Sequence, residues 1–154
     1  MTLQNPPVVE VQMLIRRPVA EVFEAFVNPD VTTRFWFTKS SGRLEPGAQV
    51  RWDWEMYGVF TTVNVKALEP NRRILIEWDD PPVPVEWRFK AVDNGSTVVG
   101  VTNRGFHGSD DETVAQAIDS MGGFSLVLAG AKALLEHNVE LNLVGDRHPG
   151  GLGA

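Results

Sequence analysis

The hydrophobic positions change period twice along the chain. Val9, Val11, Met13 and Ile15 alternate with Glu10, Gln12 and Leu14, the two-residue period of a strand with one buried face. Pro18 then suits a first helical position. Val22, Phe23, Phe26 and Val27 follow at helical spacing until Asn28-Pro29 stops the run. A second short helix is predicted from Pro29 to Phe35. From Val50 onwards the alternation returns. Val50, Trp52 and Trp54 share one parity, as do Ile74, Ile76 and Trp78, and again Val83, Val85, Trp87 and Phe89. Val59 to Leu68 reads as a further strand ended by Pro70-Asn71, and Val99, Val101 and Asn103 share one face of the last strand. Asp80-Pro81-Pro82 marks a turn. Asp93-Asn94-Gly95 predicts a tight hairpin of the primed type, because Asn-Gly tolerates positive φ. Short connections between successive strands predict an antiparallel meander.

The last third of the chain has helical spacing. Ser109 to Glu112 has the form of a capping box. Ala117, Met121, Phe124, Leu128, Ala131, Leu135 and Val139 then form a stripe. Gly122-Gly123 falls inside it, and each Gly costs about 1 kcal/mol relative to Ala in a helix interior. A break is therefore predicted there, with the main helix running from Ser120 to His137.

Strand, two short helices, sheet and long helix together predict an α+β fold. A curved antiparallel sheet would bury the helix stripe on its concave face. Such a sheet need not close completely around one helix, and the gap would be a pocket lined by aromatics with few polar groups. The chain has five Trp and one Tyr. Trp52, Trp54, Trp78 and Trp87 fall on the inward parity of their strands, and Trp36 follows the second short helix. Two readings stay open. The indoles fill the interior, so that truncating any one costs about 3–5 kcal/mol, or some of them line a pocket.

Composition narrows the function. A chain of 154 residues, 43% hydrophobic and 22% charged, suits one ordered domain, here taken as 1–154. Lys and Arg number 14 against 20 Asp and Glu, a net charge of −6 that argues against nucleic acid as a partner. There is no Cys, which excludes disulfides and Cys-based zinc sites. His107, His137 and His148 have no metal-ligand spacing, so no metal is expected. No nucleotide-binding loop and no nucleophile elbow occurs, and no cofactor is expected. No apolar run approaches a membrane span, and the first residues lack a basic-then-apolar leader, so a cytoplasmic setting is expected.

The polar candidates are few. Asp53 and Glu55 would share the solvated face of a strand, away from the tryptophans. Asp79-Asp80 is expected in a turn. Asn103 points inward and either orients a ligand or caps backbone at the strand end. Thr61 and Thr62 are further candidates whose facing the pattern does not fix. Residues 1–7 and 150–154 are expected to be loose. Val139 to Pro149 is too apolar to stay free in water, and either packs back on the domain or on a second copy; the second is favoured, giving a homodimer.

Several segments carry a resemblance. They are Ile15-Arg16-Arg17-Pro18-Val19 with Val22-Phe23, Phe35-Trp36, and Leu68 to Ile74 leading to Trp78. Thr97 to Phe106 and Gly123 to Leu128 with Leu134-Leu135-Glu136 complete the set. The chain resembles the SRPBCC superfamily, in its branch related to the C-terminal domain of the activator of heat-shock-protein-90 ATPase. The resemblance implies the helix-grip, or START-like, architecture over residues 9–137, with 138–154 as an extension. It departs at Phe124, where the family commonly has Trp, and at Ala131 beside Gly130, where it commonly has Leu. Both departures are expected to enlarge the pocket. The superfamily binds lipids, hormones and other hydrophobic ligands and includes aromatases and cyclases, and fold alone does not choose between them.

The expected function is non-enzymatic binding of a small hydrophobic or aromatic ligand. Its lining is expected from Trp36, Trp52, Trp54, Trp78, Trp87, Asn103, Phe124, Leu128 and Ala131. One alternative is a chaperone accessory protein acting through its surface. The other is an enzyme of the cyclase, aromatase or hydrolase type, which needs an ionisable group inside the pocket.

Overall fold

The computed structural model describes residues 4–152; the loose ends expected at 1–3 and 153–154 lie outside the described residues. The elements run β1 (Val9–Ile15), α1 (Val19–Val27), α2 (Pro29–Thr32), β2 (Lys39–Ser40), β3 (Gln49–Trp54), a 3-10 turn (Glu55–Tyr57), β4 (Val59–Glu69) and β5 (Arg73–Trp78). They continue with β6 (Val83–Asp93), β7 (Ser96–Asn103), α3 (Asp110–His137) and α4 (Leu143–Arg147). The seven strands form one antiparallel sheet in the order β1-β7-β6-β5-β4-β3-β2. This is the helix-grip arrangement, with α1 and α2 after the first strand and the long α3 held against the sheet's inner face.

The sheet's bend has a local cause. Val65 of β4 pairs with Ile76 of β5, yet the next partners are Ala67 and Leu75, so Lys66 is an extra residue in the ladder. A bulge of this kind increases the local twist and bends the strand. It also switches parity. Val63 and Val65 face the core before the bulge, and Leu68 packs against the core after it.

Inward parity on the other strands follows the sequence pattern. Trp52, Ile76, Val85, Trp87, Val99 and Val101 are almost completely buried. A Trp side chain buries about 200 Å², which at 25 cal/mol per Å² stabilises by about 5 kcal/mol before entropy costs. Helix α1 closes the far end of the sheet, where Phe23 and Phe26 meet Phe89 at ring distances of 5.1 and 5.9 Å. Helix α3 buries Phe124, Val127, Leu128, Ala131 and Leu134. Its last turns are tied to β1, because Lys132 donates to the Leu14 carbonyl (2.7 Å) and to Glu136 (2.6 Å), and Glu136 accepts from the Arg16 amide (2.9 Å).

Four local expectations are corrected. Helix α3 does not break at Gly122-Gly123 but runs unbroken from Asp110, where Ser109 and Glu112 form the expected capping box. The glycines make room for Arg147: a Cβ on Gly122 would lie 2.8 Å from its guanidinium, and one on Gly123 3.1 Å away. The buried stripe also differs from the expected one, since Met121 and Val139 are exposed while Thr113 and Val127 are buried. At the β6–β7 hairpin neither Asn94 nor Gly95 takes a positive φ. Instead Asp93 accepts a bond from the Gly95 amide (2.8 Å), an Asx turn, with a register shift between Ala91 and Asp93. Glu55 lies in the 3-10 turn, so it does not continue the strand face of Asp53.

By length and composition, helix α3 is also apolar enough to cross a membrane, with a mean hydropathy of 1.3 over its most apolar window, although no continuous apolar run marks it in the sequence. In the fold its inward side is the gripped face of the domain.

Candidate functional site

The strands that wall the sheet all bring one end to the same edge. The end of β3 supplies Trp54, the start of β4 Val59, the end of β5 Trp78, the start of β6 Val83 and the end of β7 Asn103. Helix α3 crosses this edge with Gln116, Ser120, Gly123, Phe124 and Val127. Between them lies a cavity of about 400 Å³, the size of a drug-like ligand site.

Aromatic rings form the cavity's inner corner. Trp36 meets Trp54 and Trp78 edge-on, each with centroids 6.2 Å apart. Trp78 stacks on Phe124 at 5.8 Å and 22°. The sheet and the helix thus meet through ring contacts, which hold α3 off the strands at this end. Deeper in, Phe37 stacks on Trp52 at 4.4 Å, and Trp36 leans on Trp52 at 4.9 Å.

The expected lining therefore divides. Trp36, Trp54, Trp78, Asn103 and Phe124 line the cavity. Trp52, Trp87, Leu128 and Ala131 do not; they lie in the solid core, no more than 1% exposed. Each of these four has the right face but the wrong height, one or more residues further from the open edge. Gly130 and Ala131 do not enlarge the cavity. A Cβ on Gly130 would meet Phe35 at 3.4 Å, so the small residues let α3 approach the segment carrying Phe35. The Trp87 indole N–H is buried with no hydrogen-bond partner among the described residues.

Asn103 performs the backbone role. Its amide donates to the Pro84 carbonyl (2.9 Å), and its carbonyl accepts from the Ser120 hydroxyl (2.7 Å). It thereby ties β7 to β6 and the sheet to α3 at the cavity floor. Of the two threonines left open, Thr61 is half-buried and Thr62 exposed. Thr61 reaches the Asp79 carboxylate at 3.5 Å.

The mouth is built by residues the periodicity did not single out as lining. Residues 138–152 fold back over the cavity as a strap carrying α4, and Val144, Arg147, His148 and Leu152 line it. Tyr57 donates its hydroxyl to the Val144 carbonyl, and its ring meets His148 at 5.9 Å. Arg147 donates to the Asp119 carbonyl (3.3 Å) and carboxylate (3.2 Å). Asn138 and Asn142 take left-handed φ of 54° and 56° on either side of the exposed Val139 to Leu141. The extension expected to favour a second copy thus packs on its own domain through α4, leaving Val139 and Leu141 exposed.

Asp79 also reaches the cavity. It follows Trp78 at a left-handed φ of 68° and sits at the rim, exposed on its outer side. Partial burial pushes its carboxyl above the ordinary range, against the opposing pull of the Thr61 hydroxyl. The acidic turn predicted from sequence is therefore a turn that places a carboxyl at the mouth. His107 bonds the Pro82 carbonyl (3.0 Å), and His137 is exposed beside Glu136. Among the described residues no group of three His, Asp or Glu could hold a metal ion.

The comparisons agree with this geometry. A protein from Staphylococcus saprophyticus is 30% identical, with a TM-score of 0.76 over 88% of this chain and 96% of its own. The solution structure of an Aha1 dimer from Colwellia psychrerythraea gives 0.73 at 17% identity, over 85% of this chain and 97% of its own. DynU16, from the dynemicin biosynthetic locus, gives 0.75 at 23% identity over 86% of this chain and 48% of its own. No functionally curated protein matches. The sequence model described as activator of Hsp90 ATPase homolog 1-like protein matches residues 16–136, which includes every strand from β2 to β7 and almost all of α3. The chain belongs to this Aha1-like family of the SRPBCC superfamily.

Proposed function

We propose that this protein binds a small hydrophobic or aromatic molecule between the sheet edge, α3 and the strap, without transforming it. The observation that supports this reading most is the aromatic cavity of about 400 Å³, with its floor already hydrogen-bonded by Asn103 and Ser120. Affinity would come from apolar area, at about 25 cal/mol per Å² before association costs. The strap then shields the guest from water. Native mass spectrometry of protein purified from its own cells tests the reading, together with calorimetric titration of naphthalene-sized ligands. The expected result is one bound molecule per chain. Absence of any co-purified molecule, with no heat of binding from ligands of that size, would refute it.

A second reading, a chaperone accessory acting through its surface, is favoured by the family match and the likeness to an Aha1 dimer. It predicts stimulation of the chaperone's ATPase by a variant whose cavity is filled. Loss of stimulation in step with loss of ligand binding would return the function to the cavity.

A further inference from the structure

The charges around the cavity do not cancel. Arg147 is already engaged by the carbonyl and carboxylate of Asp119, so its positive charge is spent on holding the strap. Asp79 has no such partner. Its hydrogen bond comes from Thr61 at the long distance of 3.5 Å, and among the described residues no cation lies within ion-pair reach of it. A guest that fills the mouth strips water from this carboxylate. An uncharged guest would take water from the cavity side of this carboxylate and give it no partner in exchange. A carboxylate guest would add repulsion in a protein that already carries a net charge of −6.

The walls point the same way. The indoles of Trp54 and Trp78 are inclined to that of Trp36 by 67° and 62°, and an indole face attracts a cation more strongly than any other side-chain ring. We propose that the cavity selects amines: an apolar body lies against Trp36, Trp54 and Phe124, and a protonated nitrogen pairs with Asp79. This rests on the ligand-binding reading above and names the ligand's chemical class.

The test is a matched series at neutral pH, followed by calorimetry: 1-naphthylmethylamine, 1-naphthalenemethanol and 1-naphthoate. A charge-assisted contact at a partly solvated rim predicts that the amine binds about tenfold more tightly than the alcohol, with the acid weakest. Asp79→Asn should weaken the amine about tenfold and leave the alcohol within about twofold. Asn tolerates the left-handed backbone required at this position, so the variant is expected to fold. Equal binding of alcohol and amine, or tighter binding of the acid, overturns the amine proposal while leaving a cavity that binds guests. An equal loss of amine and alcohol in Asp79→Asn also overturns it. If none of the three binds, both the proposal and the ligand-binding reading fail.

Discussion

Replacing Gly122 by Ala separates the stability of the domain from the closure of its strap. The residue lies mid-helix, where Ala is favoured over Gly by about 1 kcal/mol. The added Cβ would sit 2.8 Å from Nη2 of Arg147 and 3.4 Å from its Cζ, so the guanidinium must shift from its place over the helix. It would lose its bonds to Asp119, of which the exposed ion pair contributes about 0.2–1 kcal/mol and the carbonyl bond about 0.5–1.5 kcal/mol. The helix gain offsets this loss, and the midpoint of global unfolding should move by less than about 1 kcal/mol. The strap alone should loosen, by about 1–2 kcal/mol, which multiplies its open population by about 5–30. Trypsin reports this directly. Arg147 is its target, and the side chain is only 27% exposed while it is latched. The expected result is cleavage after Arg147 about 5–30 times faster, with an unchanged denaturation midpoint. Unchanged cleavage would show that Arg147 does not hold the strap. A large fall in midpoint would show that the glycine serves the core instead.

Three further substitutions, one of them followed across pH, check other parts of the structure. Trp52→Ala should cost about 3–5 kcal/mol in chemical denaturation, whereas Trp78→Ala, at a half-buried site on the cavity, should cost less and abolish ligand heat in calorimetry; equal stability losses would contradict the division between core and lining. Burial works against ionisation of Glu136, but the bonds from Lys132 and the Arg16 amide more than offset it, and the carboxyl is held below its usual range. A carboxyl depressed in the folded state stabilises above its unfolded pKa of about 4.3, and that contribution is lost as pH falls through the folded value. Glu136→Gln should therefore be less stable than the wild type at neutral pH, with the difference vanishing in acid; a constant difference across the profile would refute the linkage.

The fold was legible because parity is a robust signal. Strands β3, β5, β6 and β7 bury the face their alternation predicted, and Ser109 with Glu112 marked the start of α3. Height along the strand was not legible. Trp52 and Trp54 have the same parity and neighbouring positions, yet one is in the core and the other at the cavity. That difference depends on where α3 and the strap cross the sheet, which is a tertiary fact. Gly122-Gly123 misled for a related reason: propensity reads a glycine pair as a break, while the folded chain uses it to admit Arg147 from 25 and 24 residues downstream. Tyr57, Arg147 and His148 left no periodic trace, since each acts from a turn or the short α4. The apolar character of Leu143 and Val144 was the available clue that the extension would find a surface.

The bulge at Lys66 has a consequence for how the two halves of β4 vary. A strand has a phase, and one supernumerary residue inverts it. Odd-numbered side chains contribute to the interior on the cavity side of the slip, and Leu68 does so from the even set on the other. Excising Lys66 would leave both halves facing as they do, because Val65, Ala67 and Leu68 would then pair in succession with Ile76, Leu75 and Ile74 and alternate regularly as in, out, in. The slip thus acts as a phase joint, a place where the strand can lose one residue without inverting the lettering of either the cavity wall or the core.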